Sequence, residues 1–330
     1  MRIGIPEAVR AHELSRLPVG GVPGIGHLAH SLQRHEKTAA AVTECLQRDG
    51  HETVAIPVDG SLLSRLDKAK PDLVFNIYFG PATRQDQAYV ASLMEFARIP
   101  FSGGGAACHF IGLSKPLSKQ ILAGSGLPTP RFLVADGRTD AAGPVEAAGM
   151  RFPMIVKAPA EGEGIGLDAR SVVRSRAALE AAVARIVSTY HQPALVEEFM
   201  PGREFTIGVL DGAPPRILPI MEILLDGGAI YSYTVKAGDT VAHACPAELS
   251  AGEAEVMGAL AVRAGRAIGC RDYWRVDFRA DPRDAPQVLE VNTLPGLQPG
   301  YSDITRMAEP AGMSYAEIVR KILDSAMPRR

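Results

Sequence analysis

Trp274-Arg275-Val276-Asp277-Phe278 and Val288-Leu289-Glu290-Val291-Asn292 alternate polar and apolar residues, the pattern of strands whose two faces meet different surroundings. Successive side chains point to opposite faces, so Arg275 and Asp277 share one face and Glu290 and Asn292 share another. Val276, Phe278, Leu289 and Val291 are then expected in a core. Arg279 to Pro286, rich in Asp, Pro and Arg, reads as a hairpin connection. Pairing the strands gathers two carboxylates, an amide oxygen and a guanidinium on one surface. Those are hard oxygen donors of the kind Mg²⁺ takes when nucleotide phosphates complete its shell. A half-exposed hairpin with a salt bridge is the plainer alternative. The immediate continuation into Thr293-Leu294-Pro295-Gly296 favours the metal site, with Asp277, Glu290 and Asn292 as ligands.

Arg275-Val-Asp277-Phe followed by Leu289-Glu290-Val-Asn292-Thr-Leu-Pro-Gly296 closely resembles the C-terminal signature of D-alanine–D-alanine ligases, members of the ATP-grasp superfamily of ADP-forming carboxylate–amine ligases. The resemblance runs from about Val74 to the C-terminus, with several motifs in the family's order. It implies an α+β, three-part ATP-grasp architecture with an N-terminal α/β domain. The expected division is 1–103 for that domain, 104–196 for a central subdomain and 197–330 for the subdomain with metal and catalytic residues. It further implies ATP and Mg²⁺ (two ions, with Mn²⁺ able to substitute) and small amino-acid-like substrates, and it is compatible with a homodimer.

Composition agrees. A chain of 330 residues with 46% hydrophobic content suggests two or three domains with sizeable cores. The net charge of −2 with both signs interspersed gives no basic field for nucleic acid or an anionic membrane. Met1-Arg-Ile-Gly-Ile-Pro6 reads as a first strand rather than a signal peptide, and no apolar run reaches membrane-spanning length. A cytoplasmic enzyme is expected. Cys45, Cys108, Cys245 and Cys270, widely spaced, read as structural thiols rather than zinc ligands or disulfides.

In the first hundred residues, strands are expected at Ile3–Ile5, Thr53–Pro57 and Asp72–Tyr78, and a helix over Thr38–Asp49 stopped by Gly50. Leu17 to Gly26, with Gly-Gly-Val-Pro-Gly-Ile-Gly, is too interrupted by proline for a phosphate fingerprint and reads as a loop; His27, His30 and His35 read as solvated loop residues. Ser114 caps a helix from Lys115, with Pro116 in its first turn and Gly126 past its end. Strands follow at Arg131–Val134, Met154–Lys157 and Ala194–Phe199, and a helix at Ala177–Tyr190. Ser250 with Glu253 and Ser314 with Glu317 form capping boxes for helices Ala251–Ile268 and Tyr315–Met327.

Lys157 ends a strand and leads into Pro159-Ala-Glu161-Gly162-Glu163-Gly164-Ile-Gly166. Glycines on alternate positions permit close backbone approach and positive φ, so amide groups can converge on an anion; a flexible hairpin tip is the alternative. It is not a Walker loop, since no Gly-Lys-Ser/Thr closes it. The resemblance implies that Lys157 contacts nucleotide phosphate, that Glu161, Gly162 and Gly164 belong to a loop folding over the phosphates, and that Lys115 is an earlier nucleotide lysine. It places Glu197, Glu198, Phe199 and Met200 at the adenine cleft and Glu204 near the ribose. Tyr231-Ser-Tyr233-Thr-Val-Lys236 resembles the segment carrying another phosphate-facing lysine, Lys236. The resemblance implies catalytic positions at Arg275, Glu163 and Gly296.

Departures from the family cluster where substrate binds. Glu163 stands where relatives usually carry serine, and Ala237 where they carry an aromatic residue. Phe79-Gly80 and Gln85-Asp86-Gln87 replace the usual neighbourhood, and Glu36 is the nearest counterpart of an acidic substrate-orienting residue. Tyr301 and Ser302 take the place of a segment that closes on the second amino acid's carboxylate. The leading reading is an ATP-dependent ligase that joins a carboxylate to an amine through an acyl phosphate, acting on D-alanine or another amino-acid-like pair, with an acceptor other than D-alanine expected from Glu163 and Ala237. A phosphotransferase using the same cleft, and a nucleotide-binding protein without catalysis, are the other two readings.

Overall fold

The computed structural model describes residues 1–15, 25–138, 140–161, 164, 166–225 and 242–327. A parallel three-stranded sheet opens the chain, in the order β2-β1-β3: β1 (Arg2–Ala8), β2 (Glu52–Val58) and β3 (Leu73–Val74). Parallel neighbours need crossovers, and here α1 (Arg10–Ser15), α2 (Ile25–Arg48) and α3 (Leu62–Ala69) supply them. Helix α2 starts well before the expected Thr38, because Leu28, Leu32, His35, Val42 and Leu46 fall on one buried face. His35 is therefore a core residue and not a solvated one; its Nε2 donates to the Pro6 carbonyl at 3.0 Å. The third strand is shorter than expected. Past Val74, side chains replace the ladder: the Asn76 amide N–H donates to Ser102 Oγ at 2.9 Å, and Asn76 Oδ1 accepts from the Tyr78 N–H at 3.1 Å. Helix α4 (Asp86–Phe96) packs on the far side of this sheet together with α3.

Helices α5 (Ala106–Leu113) and α6 (Lys115–Gly124) come next. The expected boundary at 104 groups them with the central sheet. Cys108 and Leu122 of these helices, and Leu127 just after them, enter the core beneath the large C-terminal sheet, so the chain visits that core once before its strands are made. The central sheet has the antiparallel order β4-β7-β5-β6, from β4 (Phe132–Ala135), β5 (Met154–Lys157), β6 (Val172–Val173) and β7 (Ala194–Glu198). Helices α7 (Ala142–Ala147) and α8 (Arg176–Tyr190) share its core.

The large sheet runs β11-β10-β8-β12-β13, with β9 also paired to β8: β8 (Glu204–Leu210), β9 (Arg216–Ile217), β10 (Met221–Ile223), β11 (His243–Ala244), β12 (Tyr273–Ala280) and β13 (Pro286–Asn292). Every pairing in it is antiparallel. On one face Phe205, Ile207, Trp274, Val276 and Phe278 pack under α9 (Ala251–Ile268). The indole N–H of Trp274 donates to the Ala261 carbonyl at 3.0 Å, and a Cβ on Gly265 would lie only 2.2 Å from that nitrogen. Strand β12 extends through Arg279, which the sequence placed in the turn; the turn begins at Asp281, whose Oδ1 accepts from the amides of Arg283 and Ala285 at 2.7 and 3.0 Å.

After β13 come α10 (Asp303–Ala308) and α11 (Tyr315–Ala326). Ile318, Val319 and Ile322 of α11 join Ile3, Ile5, Val42 and Leu46 in one cluster. The two capping boxes are formed: the Ser250 and Ser314 amides donate to Glu253 and Glu317 at 2.8 and 2.7 Å. Among the described residues no helix is long and apolar enough to cross a membrane.

Candidate active site

The polar face of the β12–β13 hairpin carries the site. Arg275 pairs with Asn292 and Asp277 with Glu290 across the two strands, so the four side chains share one surface as the alternation implied. The ladder shifts between Asp277 and Phe278, where Phe278 pairs with Val288. That bulge leaves Leu289 unpaired and half-buried, and Val288 takes the fully buried place expected for Leu289.

Asp277 is the hub. Its Oδ1 accepts from Thr206 Oγ1 at 2.7 Å and from Arg275 Nε at 2.9 Å; its Oδ2 accepts from Arg275 Nη2 at 3.0 Å and from Asn292 Nδ2 at 3.0 Å. Arg275 Nη1 also donates to Asp303 Oδ2 at 2.7 Å, at the start of α10. Burial works against the Arg275 charge, but Asp277 and Asp303 outweigh it and hold the guanidinium firmly protonated. The Asn292 amide nitrogen is the atom turned to Asp277, so that contact does not engage its carbonyl oxygen. Two carboxylates and an amide oxygen suit a hard divalent cation completed by phosphate oxygens. The four contacts already fill the acceptor capacity of Asp277, so loading a cation exchanges at least one of them. Among the described residues no group of three or more His, Cys, Asp or Glu side chains is gathered to hold a metal ion, and this face offers two carboxylates with the Asn292 amide.

Helix α6 aims Lys115 at this face: its Nζ lies 3.5 Å from Glu290 Oε2 and donates to the Glu161 carbonyl at 2.5 Å. Burial lowers the Lys115 pKa against the pull of Glu290. One turn on, Lys119 reaches Glu197 at 2.6 Å, and Lys157 reaches the other oxygen of Glu197 at 2.5 Å. Lys119 and Glu197 are each 1% exposed. Burial opposes ionisation of Glu197, yet Lys119 and then Lys157 overcome it and hold its carboxyl at about 2. Lys119 also donates to Thr129 Oγ1 at 2.7 Å, and Thr129 Oγ1 donates to the Val288 carbonyl at 2.8 Å, so the triad is tied to β13. Sequence reasoning missed Lys119; its spacing four residues after Lys115 places both on one helix face.

Glu197, expected at the adenine cleft, thus spends its side chain on two lysines. The Glu198 carboxylate accepts from the Arg151 amide at 3.1 Å. The Arg279 guanidinium lies over Phe199, 4.9 Å from its ring centroid, and Arg279 pairs with Glu204 at 3.6 Å; Met200 is buried. Glu161 accepts from Gln192 Nε2 at 3.1 Å, and burial raises its pKa. Gly164 has φ +75°, the left-handed conformation that favours glycine. Gly162, Glu163 and Lys236 lie outside the described residues, as does Ala237.

Gly296 and Ser302 line a pocket closed by Arg34, Thr38 and Phe79. A Cβ at Gly296 would come 2.7 Å from Ser302 Oγ, so glycine is needed for that closure. Ser302 Oγ accepts from the Gln298 amide at 3.0 Å, holding the turn. Tyr301 stands beside His30, 3.5 Å from its Nε2. Glu36 is exposed and is not brought to this pocket: it lies two residues from Arg34, on the opposite side of α2. The sequence reading passed over Arg34, which a helix face alone does not single out.

Residues 121–324 match the family model described as D-ala D-ala ligase C-terminus. A D-alanine–D-alanine ligase of Moorella thermoacetica is 32% identical over 88% of this chain and 94% of its own. An uncharacterized protein, y4sG, of Sinorhizobium fredii is 33% identical over 89% of this chain and 88% of its own. The crystal structure of the D-alanine–D-alanine ligase from Bacillus anthracis superposes with a TM-score of 0.76, covering 99% of this chain and 98% of that one at 23% identity, and its complex with ATP superposes with 0.72. The structural likeness bears out the expected α+β ATP-grasp fold.

Proposed function

The chain belongs to the D-alanine–D-alanine ligase family, and from that premise we propose that it is an ATP-dependent, ADP-forming ligase joining an amino-acid-like carboxylate to an amine. The observation that carries this reading is the single surface of β12 and β13 on which Arg275, Asp277, Glu290 and Asn292 meet, with Lys115 3.5 Å from Glu290. A carboxylate has no usable leaving group. An oxygen of the substrate carboxylate therefore bonds to the γ-phosphorus of ATP as the bond to the bridging oxygen breaks and ADP departs. The amine nitrogen then bonds to the acyl carbon, phosphate leaves with the C–O electron pair, and the nitrogen loses its proton.

In this scheme Lys115 and Lys157 hold phosphate oxygens, and Lys157 is aimed by its pairing with Glu197. Arg275 exchanges its contact with Asp277 for the charge that builds on the acyl phosphate and the tetrahedral intermediate. The segment around Gly164 and Gly166 covers the phosphates and excludes water from the labile intermediate. Asp277, Glu290 and the Asn292 carbonyl oxygen would hold Mg²⁺, which offsets phosphate charge and orients attacking and leaving oxygens. Oxygen-18 placed in the substrate carboxylate tests the reading: it is expected in released phosphate, together with ADP and an amide product by mass spectrometry. Release of AMP and pyrophosphate, or a stable phosphoester with no amide, would overturn it.

A further inference from the structure

We infer that Lys119 is a positioning residue for the nucleotide: by neutralising Glu197 from the buried side, it keeps the charge of Lys157 available to a phosphate. The inference rests on the ligase reading above and adds what holds its phosphate-binding lysine ready.

Lys119 Nζ lies 2.6 Å from one oxygen of Glu197, and Lys157 Nζ lies 2.5 Å from the other. Lys119 and Glu197 are each 1% exposed, whereas Lys157 is 15% exposed. Two cations around one carboxylate leave a net charge of +1, and Lys157 is the member that can present it. With Glu197 and Lys157 alone the sum is zero. The carboxylate would then take the whole of the Lys157 charge and leave nothing to attract an incoming anion.

The sheet fixes this arrangement. Glu197 stands opposite Phe132 of β4 and Ile155 of β5, and Lys157 lies diagonal to it, opposite Leu195. The Lys119 ammonium is 5.6 Å from the Phe132 ring centroid. Thr129 commits its own proton to the Val288 carbonyl and therefore accepts from Lys119 at 2.7 Å. Burial lowers the Lys119 pKa and Glu197 opposes that fall; with the Glu197 carboxyl held at about 2, the pair is ionised. A side chain so enclosed has no route to a ligand, so its influence on the nucleotide passes through Glu197.

The test is calorimetric titration of the full chain with ADP in the presence of Mg²⁺, which reads binding without turnover. Lys119→Met is expected to weaken ADP by about tenfold to a hundredfold, the scale of one charge lost beside a buried ion pair. Adding Glu197→Gln restores the net charge to +1 on Lys157 and keeps an oxygen acceptor for it. ADP affinity is then expected to return to within about threefold of the wild-type value. A lysine acting only as a tie between the central sheet and β13 predicts no such recovery, because the double variant breaks that tie at both ends. Unchanged ADP affinity in Lys119→Met, or a loss that Glu197→Gln does not restore, overturns the inference. Should Lys119→Met fail to fold, the double variant, which removes both fully buried charges together, decides alone: affinity near wild type supports the inference, and a loss of about tenfold or more overturns it. Lys119-dependent ADP binding with no ATP-driven amide formation from any acid and amine would sustain the inference while removing the ligase reading.

Discussion

Asp277 holds four donors at once, so a change there is felt as charge before it is felt as shape. Asp277→Asn keeps the volume and removes the charge, and Glu290→Gln does the same across the ladder. Each is expected to lower kcat by about a thousandfold or more, the scale of a lost metal contact in a phosphoryl-transfer step, with circular dichroism unchanged. Near-normal turnover in both variants would remove these residues from the metal site. Lys119 fails differently. Lys119→Met leaves Glu197, 1% exposed, with one partner instead of two, and an under-compensated buried charge costs roughly 3–5 kcal/mol. The urea midpoint should drop accordingly, whereas a loss under about 1 kcal/mol would show that Lys157 alone suffices.

At the level of elements, the close fit of α9 on the large sheet makes one glycine decisive. Alanine at 265 gains about 1 kcal/mol of helix propensity but drives a methyl group to 2.2 Å from the Trp274 nitrogen. Overpacking of that kind costs about 1–3 kcal/mol, so Gly265→Ala is expected to lower stability by chemical denaturation; a stabilised variant would mean the indole can shift freely. The elements also separate what was legible from what was not. Periodicity revealed β12 and β13, their shared polar face and both capping boxes, because alternation and capping are local properties of the chain. It misplaced Leu289, because a bulge is set by pairing rather than by either strand alone. It ended β12 too early at Arg279, a charged residue that stays in the strand by lying over Phe199 and pairing with Glu204. The start of α2 was missed because its histidines suggested solvent, although His35 is in the core. Arg34 was invisible for a related reason: its neighbours Phe79, Gly296 and Tyr301 come from distant parts of the chain.

Across the whole molecule, two buried histidines tie stability to pH. Burial lowers His35 and His109 to about 4, and in an unfolded chain each titrates near 6.5. Between those limits the unfolded state binds more protons, so stability falls as the pH drops from about 6.5 towards 4, by up to roughly 3 kcal/mol for each histidine. Glu197, held at about 2, adds a further loss only below about 4.5. Urea midpoints at pH 7.5 and 5.5 check this, and a His35→Gln, His109→Gln variant should flatten the slope between them whatever its absolute stability. The packing of α11 sets a condition on biosynthesis. Ile318, Val319 and Ile322 fill the same cluster as Ile3, Ile5 and Val42, and Arg320 grips Asp49 with contacts of 3.1 and 2.8 Å. A chain made from its N-terminus therefore has α2 on its first sheet early, but leaves the cluster they share without its C-terminal side chains until α11 has left the ribosome. Roughly 250 residues separate β3 from the end of α11, about 13–50 s of translation, and for that interval the nascent N-terminal unit presents an incompletely buried apolar cluster that chaperones can bind.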